Sequence, residues 1–96
     1  MKKIKPIETV MIPRDKWYFI KPSTPIVVNF EDGTSQTTYF WDTDTTNNDN
    51  HKIVFINDIS RDSIEKIEAC DFEYPESNKI SLAKIASIEE ITKYEF

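Results

Sequence analysis

The sequence predicts a mainly β domain, with α+β as the alternative: a small curved antiparallel sheet or barrel of about five or six strands with one or two short helices. Three observations carry that expectation. Asp32-Gly33 stands between two strand-like runs, and Asp-Gly is a strong hairpin signal. Short apolar runs recur between polar turn clusters, which is strand spacing more than helix spacing. The third is the supply of aromatics, six Phe, four Tyr and two Trp in 96 residues. They deliver the large buried areas that a single small core needs. The length fits one domain over residues 1–96,.

The elements follow in order. Ile7 to Ile12 reads as a first strand, broken by Pro13, and Trp17 to Ile20 as renewed extended chain. Pro22 and Pro25 keep that connection out of a helix. With Asp32-Gly33 as a two-residue loop, Ile26 faces Tyr39 and Val28 faces Thr37. One face then collects Ile26, Val28, Phe30, Tyr39 and Trp41, and the other Val27, Asn29, Gln36, Thr38 and Phe40. Asp42 to Asn50 is wholly polar and reads as a loop,. Ile53, Val54, Phe55 and Ile56 in succession are apolar on both faces, as in a central strand.

Residues 60–96 admit two patterns. Asp62-Ser63-Ile64-Glu65 has the shape of a capping box, so a short helical turn is expected near 60–66. Cys70, Phe72 and Tyr74 alternate with Asp71 and Glu73, which predicts a strand to about Tyr74. Pro75-Glu76-Ser77-Asn78 is a turn, and another strand is expected from Lys79. Ile85, Ile88 and Ile91 recur every three residues, so a helix from Ser81 to Tyr94 competes with a closing strand. The order of elements is similar to that of small SH3-like or Sm-like barrels; no motif carries a residue role over from them.

Charge is the main clue to function. The net charge is −5. Residues 1–21 hold six basic side chains against Glu8 and Asp15, a net of +4; the rest hold six basic and fifteen acidic groups, a net of −9. Between Pro22 and Asn50 there is no lysine or arginine, but there are Glu31, Asp32, Asp42, Asp44 and Asp49. An acidic body disfavours phosphates and favours basic partners. The ordinary reading is a solubilising surface. The functional reading is a non-enzymatic inhibitor or adaptor of immunity or anti-defence type. It would cover a basic surface on another protein, such as a nuclease or nucleic-acid-binding complex. The expected contact residues are Glu31, Asp32, Phe40, Asp42, Asp44 and Asp49, with Phe40 or Tyr74 as aromatic anchor. A homodimer through a sheet edge is a second expected contact.

The alternative is a small barrel that binds nucleic acid through Arg14, Lys16, Trp17, Tyr18, Phe19 and Lys21, a basic segment interleaved with aromatics. Chemistry has less support. His51 and Cys70 are the sole residues of their kinds, and nothing flanking either resembles a nucleophile motif. Asp42-Thr43-Asp44 begins like a calcium loop, but Asn47 and Ile53 stand where glycine and glutamate are needed. The single glycine excludes a phosphate-cradling loop. No catalytic residue, metal ligand or cofactor is therefore expected. One cysteine excludes an internal disulfide and suits a reducing compartment. No signal-peptide or membrane-length apolar run is present, so the sequence expectation is cytoplasmic.

Overall fold

A computed structural model describes residues 4–96. Lys2 and Lys3 of the basic segment lie outside them. Six strands form one antiparallel sheet in the order β1-β6-β2-β3-β4-β5. They are β1 (Lys5–Ile12), β2 (Pro25–Phe30), β3 (Ser35–Asp44), β4 (Lys52–Ile56), β5 (Lys79–Ser81) and β6 (Ile85–Glu95). The expected mainly β fold is the one observed, as an open sheet with β1 and β5 at its edges. One α-helix, α1 (Arg61–Glu68), connects β4 towards β5, and short 3-10 turns cover Arg14–Phe19, Glu76–Asn78 and Leu82–Lys84.

Both faces of the sheet are packed. One holds Trp17, Ile26, Val28, Phe40, Ile53, Phe55, Ile85 and Ile88. The other holds Tyr39, Val54, Ile56, Ile67 and Ile91, with Ile64 and Trp41 beside them. β4 divides its consecutive apolar residues between the two, which is what alternation in a central strand requires. α1 covers the second face through Ile64 and Ile67, three residues apart on one helical side.

The hairpin differs from its expected register by one residue. Ile26 faces Thr38 and Val28 faces Gln36. Phe30 N–H donates to Thr34 O at 2.8 Å, and Gly33 N–H donates to Phe30 O at 3.0 Å. The loop is therefore Glu31-Asp32-Gly33, three residues ending on a glycine at φ 89°, the turn-plus-bulge form of hairpin. One residue of slip exchanges the faces. Phe40 joins Ile26 and Val28, and Tyr39 turns to the α1 side.

Four further expectations change. Residues 14–19 form a 3-10 turn instead of extended chain, begun by Lys16 N–H donating to Pro13 O. The helix lies at the turn expected near 60–66, but its cap is two residues earlier than the capping box places it, since Ser60, not Asp62, is the cap and accepts from Ser63 N–H,. Residues 70–74 are a turn, not a strand, because Asp71 and Phe72 both take positive φ. The tail resolves as the long strand β6, and β3 continues through Asp44 into the expected loop.

Candidate functional site

The structure divides the acidic segment. Glu31 and Asp32 sit at the hairpin tip, while Asp42 and Asp44 sit at the far end of β3, about 30 Å along the strand at ~3.3 Å per residue. Asp32 is occupied locally: its Oδ1 accepts from Thr34 Oγ1 at 2.6 Å and Thr34 N–H at 2.9 Å. Those bonds hold its carboxyl below the usual range,.

At the far end, Asp42 and Asp44 are brought together on one face with groups from β5 and its approach. Tyr74 O–H donates to Asp42 Oδ2 at 3.0 Å. Burial, then that bond, pushes the Tyr74 hydroxyl up to about 12. Lys79 Nζ donates to Asp44 Oδ2 at 2.9 Å, with both side chains about one-tenth exposed. Thr46 Oγ1 donates to Asp44 Oδ1 at 2.6 Å. The Thr46 bond, followed by Lys79, holds the Asp44 carboxyl far below its ordinary value, and the same contact raises Lys79. Lys52 bridges to Glu76 at 3.1 Å beside them. Two of the expected contact carboxylates thus serve the fold, one neutralised by a lysine from elsewhere in the chain. Asp49 stays exposed in the loop. Phe40, expected as an anchor, is 2% exposed in the core, because the shifted hairpin register turns it inward.

The basic segment is similarly divided. Trp17 is buried, and its Nε1–H donates to Ile12 O at 3.1 Å. Arg14 stacks over the Trp17 ring at 4.4 Å and donates to Ile85 O at 3.0 Å. Both are structural, pinning the 3-10 turn against β1 and β6. Phe19, by contrast, is 76% exposed, with Lys16 and Lys21 near it in sequence.

His51 and Cys70 do not meet as a pair. His51 Nδ1 shares a hydrogen bond with the Tyr18 hydroxyl at 2.9 Å, and Cys70 Sγ–H donates to Lys66 O at 3.3 Å. No group of three or more His, Cys, Asp or Glu that could hold a metal comes together among the described residues. No helix there is long and apolar enough to cross a membrane.

A second acidic surface emerges that the emphasis on residues 22–50 passed over. Residues 57–78 carry seven carboxylates (Asp58, Asp62, Glu65, Glu68, Asp71, Glu73, Glu76) against Arg61 and Lys66, a net of −5. Glu65 pairs with Arg61, and Glu76 with Lys52 and Lys79. Asp58, Asp62, Glu68, Asp71 and Glu73 make no ion pair among the described residues. Between Asp71 and Glu73 in sequence, Phe72 is 77% exposed at φ 70°, its ring edge-on to Tyr74. Between α1 and the end of β4 lies an open groove of about 420 Å³ lined by Ile56, Ile67, Cys70 and Pro75, with Asp58 and Lys66 also on its wall. The carboxylates were countable in the sequence. The exposure of Phe72 was not, since its alternation with Cys70 and Tyr74 imitates a strand.

No protein-family model, curated protein or solved structure matches this chain.

Proposed function

We propose that this protein is a non-enzymatic inhibitor or adaptor, of immunity or anti-defence kind, that covers a basic surface of a partner protein with its carboxylates. The observation that carries the reading is Phe72, an exposed aromatic flanked in sequence by Asp71 and Glu73, which make no ion pair among the described residues. An aromatic anchor supplies buried area and the carboxylates around it supply steering and selectivity. Where the partner is a nuclease or other nucleic-acid-binding protein, these carboxylates stand in for phosphates. Glu31 and Asp32 at the hairpin tip and Asp49 in the loop beyond the far end of β3 are further, separate contacts of the same kind.

The test is retention of a partner from native lysate by three forms of the chain: the wild type, a reversal at Asp62, Glu68, Asp71 and Glu73, and a reversal at Glu31, Asp32 and Asp49. The expected result is a cationic partner that the first reversal releases and that high salt weakens. Retention unchanged by both reversals rejects the reading.

The alternative, nucleic-acid binding through the N-terminal segment, is favoured by the exposure of Phe19 beside Lys16 and Lys21. It predicts retention on single-stranded RNA or DNA at low salt, lost on Lys16→Glu with Lys21→Glu. Absence of retention at low salt removes it.

A further inference from the structure

β1 is the long edge of the sheet, and seven of its eight residues are exposed. It pairs with β6 on one side only. Alternate N–H and C=O groups on its other side face outward with no strand among the described residues to receive them,. Its side chains are uncovered on both faces: Val10 and Met11 are each 58% exposed and Ile7 is 50% exposed. The apolar strip continues onto β6, where Tyr94 stands opposite Pro6 and packs edge-on to exposed Phe96 at 5.5 Å. A strand this apolar that buries so little of itself lacks a covering surface among the described residues.

We propose that this edge pairs with the same edge of a second copy, the two β1 strands running antiparallel across a two-fold axis. Three features select a second copy. First, the N-terminal half is blunted. Pro6 lacks an N–H, and the register shifts around Ile7 and Glu8 mark a bulge,. Pairing is thereby confined to the Glu8–Ile12 half. Second, that half is self-complementary. Facing residues of an antiparallel pair share a sheet face, so a two-fold axis must set one residue against its own copy. With the axis at Val10, Val10 meets Val10 and Thr9 meets Met11 of the second copy. The half has one charge, Glu8, and Lys93 of its own chain stands opposite it on β6, so no like charges are forced together at the centre. Third, the sheet's other edge is β5, three residues long and followed at once by a 3-10 turn. It is too short to receive β1 head to tail, so association closes as a dimer and does not run on into a filament.

Sedimentation equilibrium of the full chain from micromolar to millimolar concentration tests this. The expected result is a mass rising from 11.3 kDa towards twice that value. A Val10→Lys, Met11→Lys double variant, altered at exposed positions, should keep the same far-UV circular dichroism and remain a monomer throughout. A wild type that stays monomeric to millimolar concentration overturns the proposal, as does a dimer that survives both lysines. Should the variant fail to fold, hydrogen exchange on the wild type decides. Outward amides of residues 8–12 slowing at least tenfold at high concentration support the pairing, and rates independent of concentration overturn it.

Discussion

Asp44, at the end of β3, and Lys79, at the start of β5, meet at 2.9 Å with both side chains about one-tenth exposed. The two strands are not neighbours, since β4 lies between them. The ion pair therefore reaches across β4 and ties the three-residue edge strand to β3, beyond its pairing with β4. Asp44→Asn removes the charge while leaving an oxygen for Thr46. It should cost about 2 kcal/mol, the usual worth of a hydrogen bond to a charged, largely buried group. Lys79→Met should cost a similar amount, and the double variant clearly less than the sum. Urea melts of the four forms measure the coupling. Strict additivity would show that the pair contributes nothing of its own.

The same groups set the pH range of stability. The carboxyls of Asp44 and Glu89 lie below their ordinary values, Asp44 through Thr46 and then Lys79, Glu89 through Asn29 and then Thr9. A depressed folded value favours the fold above the unfolded pKa of about 4, and that contribution is lost as pH falls through the folded values. Lys79 and Tyr74 lie above their ordinary values, Lys79 through Asp44 and Tyr74 chiefly through burial. Their contribution is complete below about pH 10 and lost as pH climbs towards the raised values. The melting temperature should accordingly be flat through neutrality and fall at both ends. Asp44→Asn should flatten the acid limb. An acid limb identical in wild type and variant would assign it to other groups.

What the sequence made legible was local. The Asp-Gly signal placed a hairpin, and the unbroken run Ile53–Ile56 placed a central strand, because turn chemistry and two-faced burial are written in adjacent residues. The register was not legible. A glycine at positive φ serves a two-residue and a three-residue loop equally well, and only the partners β4 and β6 decide between them. That one step is why Phe40 belongs to the core and not to a contact surface. The Asp44–Lys79 pair was equally hidden, since 35 residues separate its members. The exposure of residues 71–73 was hidden too, since only the turn after α1 sends them outward while Tyr74 packs back against the sheet.

Gly33 tests the hairpin reading directly. It holds φ +89° with nothing within 4 Å of the place a Cβ would occupy. A side chain there meets no clash, so the cost of Gly33→Ala is backbone strain alone, about 1–2 kcal/mol. Gly33→Asn should cost less, because asparagine visits the left-handed region more readily. Denaturant midpoints give both values. An alanine variant as stable as wild type would mean that the loop adopts another turn in solution.

Phe72 combines strain with exposure, and the two make a joint prediction. An aromatic residue at φ 70° is disfavoured,. With 77% of its surface exposed, it recovers little by burial. Phe72→Asn should therefore stabilise the monomer by about 0.5–1 kcal/mol, since asparagine tolerates this backbone conformation. The same change removes the proposed anchor, and should weaken partner binding by about tenfold or more, as loss of a central aromatic does. Stability rising while binding falls is the signature of a residue kept for contact at the expense of its own fold. Chemical denaturation of the isolated chain and titration of the captured partner measure the two effects separately. A variant that loses stability would place Phe72 among the packing residues, and unchanged binding would remove it from the interface.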